Sequence, residues 1–561
     1  MCAFSGGSGS AAEWMIQHMQ TSNQRFPRFA LAAMLLTYGA VPARLQAAPP
    51  AGDAAHAALS AAATALGGID RIRSVRNITL VGYGNYAYQF GGGNVTASVH
   101  AAQRYEAAND LRRVFDFEHG RYQQSERRKM SFTFALASLT SNAPVNQILD
   151  GDIAYDIGPD GKAARIPRFL PSPWQLDGLH MRRMWMLNDP VALVRAALDP
   201  KATLGNLRTE AAADGPVQVM DLQLREGDRL SFALSSRTHL PYWVRWTAPH
   251  NNFGQLSFTT YLQGYVPVAG LMLPLSYQTI TDWRNIDYFD VHVDGYEVDA
   301  TIPDLAAPEA IRAAPEPTPA LQPLKATPIA KGVWYISAAD EGVPVFEFDD
   351  HLALFDLNRK PYAKAIIDLA RTLVPGKAPT QLITSHQHSD HLDGIRVAVA
   401  EGLTIISRRD NERIIRDMVT HPAPDYPDEL ATHPRALKFI PVDEHLRLAD
   451  HSMTLDLYWA RDNSHMADGL FAYDPDAKVM AEADIATAAH DYQWWPDNYM
   501  DNLEYYHLQV DTLLPVHFPP MKQAEVIDFI RYGVQAARAR CAAELANGNY
   551  HIGCPVLSHR Y

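Results

Sequence analysis

The sequence predicts two regions of different class: a mainly β region over residues 49–302, and an α/β layered region over residues 329–561. Three observations predict this. Short strand signals dominate from Ile69 to Ile302. A proline-rich stretch from Pro303 to Pro328, with Ala314-Pro315-Glu316-Pro317-Thr318-Pro319 inside it, then reads as an extended linker. After it, strands alternate with helices, the rhythm of a layered α/β domain. At 561 residues the chain is also too long for one core.

Residues 1–48 carry the parts of an export signal. Arg25 and Arg28 precede the apolar run Phe29 to Leu36, and small residues follow around Ala47-Ala48. The run is too short to span a bilayer comfortably, and no second apolar stretch approaches the length of a transmembrane helix. The expectation is a periplasmic or secreted protein without stable membrane insertion; Met15 or Met19 as the start, and an uncleaved anchor, stay open. Residues 49–65 are Ala-rich with little pattern and read as a linker leading into a short helix. Val217 to Leu224 and Arg229 to Leu234 flank a Glu226-Gly227-Asp228 turn, a hairpin signature. Trp243 to Trp246, Gln255 to Tyr261 and Tyr288 to Val293 are further strands. Asp189-Pro190 opens a helix running to Leu198, with proline in the first turn. Many short strands with few helices predict a twisted antiparallel sheet or open barrel.

Beyond the linker, Gly332 to Ile336, Val345 to Phe348 and Leu352 to Asp356 are strands, and a helix follows from about Tyr362 to Leu373. The strand Gln381 to Thr384 then runs into Ser385-His386-Gln387-His388-Ser389-Asp390-His391-Leu392-Asp393-Gly394. His386, His388, Asp390 and His391 place four metal-capable side chains within six positions. Imidazole nitrogen and carboxylate oxygen are the ligands of zinc and its borderline neighbours.

Bulk charge narrows the partners. The chain holds 49 basic and 63 acidic residues, a net charge of −14, which gives no footprint for nucleic acid and argues against anionic lipid surfaces. A small-molecule substrate is the expected partner. Of the three cysteines, Cys541 and Cys554 are placed to pair in an oxidising compartment, unless they remain separate thiols.

The H-x-H-x-D-H cluster resembles the metal motif of the metallo-β-lactamase superfamily, over roughly residues 325 to 535. The resemblance implies an αββα sandwich, and further ligands at the ends of later strands. His465 precedes the strand Leu470 to Tyr473, Asp484 ends the strand Lys478 to Ala483, and His517 follows Leu513 to Val516. Taken singly, His465 and His517 read as buried, hydrogen-bonded histidines. By the resemblance, a first metal takes His386, His388 and His465, a second takes Asp390, His391 and His517, and Asp484 bridges them. Two divalent ions, expected to be Zn2+, hold a hydroxide that attacks an ester, lactone, amide or phosphodiester bond, with Asp390 as both ligand and catalytic orienter. Asp356, Asp393 and Asp468 are the acceptors proposed for the outward ring nitrogens.

The chain departs from the family pattern. Leu392-Asp393-Gly394 follows the D-H, Phe518 follows the last histidine, and Asn463-Ser464-His465-Met466 surrounds the third. These changes reshape the pocket rim and detach substrate identity from the family. The aromatic segment 491–499 reads either as a pocket wall or as packing, and Arg408 and Arg409 either as an anion site or as surface charge. The layout of residues 69–302, with an entry helix ending at Ala65-Leu66-Gly67-Gly68, resembles the half-barrel domains of periplasmic lipoprotein-carrier proteins. Two other readings stay open: an iron-binding redox or dioxygenase-type member of the same fold, and an inactive carrier.

Overall fold

Apolar and polar residues alternate along the first region, and its strands follow from that. Along Pro241–His250, Trp243, Val244, Trp246 and Ala248 are buried while Tyr242, Arg245, Thr247 and Pro249 are less so. In this computed structural model, which describes residues 51–132, 142–170, 177–318, 321–338, 341–486, 497–548 and 560, thirteen strands between Asn77 and Val298 pair into one antiparallel sheet. Its edges are Ala163–Ile166 and Thr203–Ala212, and Asn77–Ala87 lies near the middle between Tyr105–Asp116 and Asp287–Val298. The leader region, Cys2, Cys554 and residues 491–496 lie outside the described residues.

Residues 49–65, expected as a linker, instead hold the helix Ala51–Ala65, which packs against the edge strand Thr203–Ala212; two further helices pack on this sheet. Pro190–Ala197 begins as its sequence requires: Asp189 Oδ1 accepts from the Val191 and Ala192 amides at 2.9 Å, and proline fills the first turn. Leu179–Leu187 gave no sequence signal because it is buried nearly all round, His180, Arg182 and Arg183 included. Trp185 is its anchor, edge-on to Trp246 and parallel to Tyr288.

Burying those basic groups requires anions. Asp228, from the hairpin turn, accepts from His180 Nδ1 at 2.9 Å and from Arg168 and Arg183. Burial alone raises its carboxyl, but His180 and Arg183 outweigh that and hold it at about 2.

The stretch 303–328 is not uniformly extended. Glu309–Ala313 is a short helix whose Ile311 packs against Val114, Ile148 and Tyr155. Lys325–Ala330 is already a strand of the second region. Pro328 fits there because this is an edge strand, whose outer side needs no donor.

The second region contains two sheets. Seven strands from Lys325–Ala330 to Lys438–Val442 form one, antiparallel up to His351–Phe355 and parallel after it. Six strands from His445–Ala449 to Met521–Lys522 form the other. They share a core of Val333, Phe346, Phe355, Ile383, Leu455, Leu457, Ala472 and Leu514. Outside the first sheet pack the helices Lys360–Ala370, Ile395–Ala400 and Glu412–Thr420; outside the second pack Asn498–Tyr505 and the start of Gln523–Ala546. Pro49–Tyr561 forms one compact unit, and a single core runs from Leu59 and Trp185 of the first region to Ile366 and Leu392 of the second. Cys541 is disulfide-bonded. Among the described residues no helix is long and apolar enough to cross a membrane.

Asp228 gives the fold a testable acid dependence. Its folded-state pKa is depressed, so its stabilisation is full above the unfolded value of roughly 4 and is lost as pH falls through about 2. Asp228→Asn should cost about 3 kcal/mol at pH 7 and flatten the loss of thermal stability between pH 4 and pH 2, measured by melting the variant and the parent side by side.

Candidate metal centre

The strands of the two sheets end on one rim, and that rim collects the side chains singled out in the sequence. His386 to His391 follow Ala378–Ile383, Asp484 follows Val479–Glu482, and His517 follows Thr512–Pro515. His465 lies in the turn between Thr454–Trp459 and Leu470–Asp474. Two groups form there. His386, His388, His465 and Asp484 bring one ligand atom each within 4.8 Å of one another, and Asp390, His391 and His517 do the same.

Asp484 ties the two groups together. Its Oδ2 lies 3.1 Å from His465 Nε2, 3.2 Å from His391 Nε2 and 3.5 Å from His386 Nε2, and its Oδ1 lies 3.6 Å from His517 Nε2. His391 Nε2 is 3.4 Å from Asp390 Oδ2 and 3.1 Å from His517 Nε2. Donor atoms set 2.0–2.2 Å from one tetrahedral ion lie roughly 3.3–3.6 Å apart, so this spacing fits a pair of cations.

The remaining ring nitrogens show which atom of each ligand faces inward. His386 Nδ1 meets Ser385 Oγ at 3.0 Å, while its Nε2 is buried with no hydrogen-bond partner. His388 Nε2 donates to the Asn94 carbonyl at 2.9 Å, which leaves Nδ1 for a metal. His391 Nδ1 donates to Asp356 Oδ2 at 2.9 Å, and His517 Nδ1 faces Glu341 Oε1 at 3.8 Å. Asp390 turns Oδ2 inward while Oδ1 accepts from Gln89 Nε2 at 3.3 Å. These are the outer contacts that fix tautomer and ring angle at metal sites.

Charge in the pocket divides in two. Burial, with the neighbouring imidazoles, lowers His386 well below the ordinary histidine range. Burial likewise lowers His388, with His465 adding to it, and lowers His465 against the pull of Asp484. All three keep their lone pairs. Burial also acts to lower His391 and His517, but Asp390, Asp356 and Asp484 outweigh it at His391, and Asp484 with Glu341 at His517, and both end raised. Burial raises Asp484, yet His517, His465 and His391 hold it well below the carboxylate range. The field at this point is that of anions facing imidazoles, ready for a shared cation.

Backbone geometry supports the same point. Asp356 and Asp484 both sit in the left-handed region, at φ 54° and 57°. Such conformations cost energy in non-glycine residues and persist where the surroundings enforce them. Asp356 is held by the Ser385 amide and hydroxyl, each at 2.6 Å. Asn463 holds the other side, donating to the Asp484 carbonyl at 2.9 Å and accepting from the His465 amide at 2.7 Å.

Of the three outer acceptors named from sequence, only Asp356 contacts a ligand histidine. Asp393 accepts from the Lys360 amide, and Asp468 from the Ala97 amide. Arg408 and Arg409 are not an anion site: Arg408 is buried against the Trp459 ring, and Arg409 pairs with Asp443 on the surface. Tyr499, from the described end of the aromatic segment, is core and donates to Gln523.

Sequence reasoning missed the contribution of the first region. A cavity of about 360 Å³ opens on His388, Asp390, His465, Asp484 and His517, and its other walls include Tyr86, Tyr88, Glu106, Arg128 and Tyr288. Gln89 also accepts from the Ser389 amide, the Asn94 carbonyl also takes Gln387 Nε2, and Arg104 donates to the Ser464 and His465 carbonyls. The one local signal was the glycine run before Asn94. At Gly92 a Cβ would stand 2.5 Å from Ser389 Oγ, so any other residue would force that side chain to shift.

No family model matches the sequence, and no curated protein matches it. Among solved structures it is similar to a metallo-β-lactamase from Pontibacter korlensis, at 14% identity over 37% of this chain and 98% of that one, TM-score 0.30. It is similar also to the FIM-1 metallo-β-lactamase of Pseudomonas aeruginosa in its mono-zinc form, at 15% over 38% and 96%, TM-score 0.30. A third, from Hirschia baltica, is 12% identical over 38% and 98%, TM-score 0.30. At that TM-score the likeness carries no weight beside the geometry of the site.

Asp356→Asn tests the outer contacts. Asparagine tolerates the left-handed conformation, so the fold should survive. Affinity for the more weakly held metal should fall by about 10- to 100-fold, read by competition with a chromogenic chelator; unchanged affinity would remove Asp356 from the site.

Proposed function

We propose that this chain is a metal-dependent hydrolase of the metallo-β-lactamase type, with two divalent ions, zinc foremost, held by His386, His388, His465, Asp484, Asp390, His391 and His517. One observation carries the reading: seven donor atoms from four separate loops converge on one rim, and a substrate-sized cavity opens directly on them. When bound, a pair of such ions supplies a water acidified toward neutrality and a Lewis acid for the oxygen of the scissile group.

The chain's own residues do the rest. Asp390 is fixed by Gln89 through one oxygen, so the other keeps a constant angle toward His391 and His517. Asp484 faces both groups and sets their separation. Burial of the histidines excludes bulk water from behind the ligands. The bond class we assign is an ester, lactone, amide or phosphodiester. We also place the protein in the periplasm or outside the cell, a reading supported by the leader-like residues 25–48 and the disulfide at Cys541.

The ligand set contains nitrogen and oxygen only, which suits iron as well as zinc. An iron-loaded, non-hydrolytic relative is therefore the second reading, distinguished by elemental analysis and a visible absorption band.

A panel of esters, thioesters, lactones, phosphodiesters and β-lactams, assayed before and after chelation, tests the proposal. Turnover should vanish on chelation and return with zinc. Asp390→Asn should lower kcat by at least about 100-fold with the melting temperature nearly kept. Turnover that survives both treatments would overturn the assignment.

A further inference from the structure

Beyond the metal ligands, the cavity is walled by the β-rich region, and its charges there do not balance. Glu106, Asp177 and Arg128 line it together with Tyr86, Tyr288 and Met130. Arg128 is the one arginine or lysine among the described lining residues, and it is already committed. Its Nε and Nη2 both donate to Glu126 Oε1, at 2.9 and 2.5 Å, and its guanidinium lies 4.2 Å from the centre of the Tyr86 ring. Glu126 is itself fully buried, so the pair is closed.

Glu106 and Asp177 have no such partner. Asp177 is 3% exposed, and its carboxylate accepts from neutral donors, Trp185 Nε1 at 3.2 Å and Gln147 Nε2 at 3.3 Å. Glu106 makes no ion pair among the described residues; burial raises its carboxyl, Arg128 lowers it in part, and Asp177 raises it again. Behind the wall, Arg113 donates to Gln124 at 2.8 Å and lies over the Trp185 ring. Arg182 Nε donates to the Asp177 carbonyl at 2.7 Å and its Nη2 pairs with Asp156; Glu106, Asp177, Glu126 and Asp156 against Arg128, Arg113 and Arg182 leave an excess of one negative charge around a half-enclosed, aromatic space. A carboxylate in such a place is costly unless a cation meets it. An anionic group entering there would meet a net like charge, with Arg128 already paired to Glu126.

We propose that the cavity takes a substrate whose scissile bond faces the metal ligands and whose apolar or aromatic body ends in a protonated amine against Glu106 and Asp177. This rests on the hydrolase reading. The apolar share of the wall, from Tyr88, Tyr288, Met130 and Phe518, accepts the body. Glu106 and Asp177 supply charge-assisted acceptors for the ammonium, the class of hydrogen bond most sensitive to losing its partner. The same wall selects against substrates with a carboxylate or phosphate at that end.

Three phenyl esters of one chain length decide it, differing only in a terminal ammonium, methyl or carboxylate group, assayed with the zinc-loaded full chain. The ammonium ester should exceed the methyl ester in kcat/KM by roughly tenfold, mostly through KM, and the carboxylate ester should be the poorest. Glu106→Gln and Asp177→Asn should each narrow the ammonium-to-methyl ratio, and Glu106→Gln, isosteric and partly exposed, keeps the test open if Asp177→Asn fails to fold. Equal ratios, or a carboxylate ester at least as good as the methyl ester, would overturn the inference while leaving the hydrolase reading intact. If none of the three is turned over, the hydrolase reading fails for this bond class. The tail inference is then decided by calorimetric binding of the same compounds: tighter ammonium binding lost in Glu106→Gln sustains it, and equal binding sinks it.

Discussion

Two imidazole nitrogens held 3.1 Å apart, with a carboxylate oxygen 3.2 Å from one of them, are the constraint on which this structure turns. Lone pairs aimed at one another repel. A protonated ring relieves one contact of that kind, but Asp484 Oδ2 meets three imidazoles, and His391 Nε2 meets two carboxylates and one other nitrogen. Protonating every ring would bury several charges together, and protonating none would leave the carboxylates unanswered. Divalent cations would satisfy all the lone pairs at once, at the spacing the donors already have.

The rest of the fold holds that geometry. The sandwich sends its strand ends to one rim, so ligands 131 positions apart, His386 and His517, meet without a long loop. The antiparallel sheet of the first region closes the other side. It supplies the carbonyl under His388, the amide on Asp390, and the wall that gives the cavity its charge. The shared core means that the two regions cannot separate without exposing residues such as Leu392 and Trp185. The β-rich region is thus part of the site rather than an appended module.

What was legible in the sequence was what is local. His386 to His391 sit in six positions at a strand end, and their chemistry shows in any reading. His465, Asp484 and His517 became legible only by their order and their places after strands, since each alone reads as an ordinary buried residue. Asp189 and Pro190 announced their helix because capping is a contact between near neighbours. The helix Leu179–Leu187 did not, because a helix buried on all sides has no polar face to create a period. Gln89 and Asn94 were beyond reach for a different reason: they act across about 300 positions, and Asn94 acts through a carbonyl that any residue possesses. Asp356, Asp393 and Asp468 looked equivalent by proximity, and only the tertiary fold separates the one that supports His391.

The most direct measurement is anomalous X-ray scattering from crystals of the purified, zinc-loaded full chain. Two peaks roughly 3.5–4 Å apart are expected, one touching His386, His388 and His465, the other Asp390, His391 and His517, with Asp484 reaching both. Absence of anomalous density at this rim, or an Asp484 turned away from both peaks, would contradict the account.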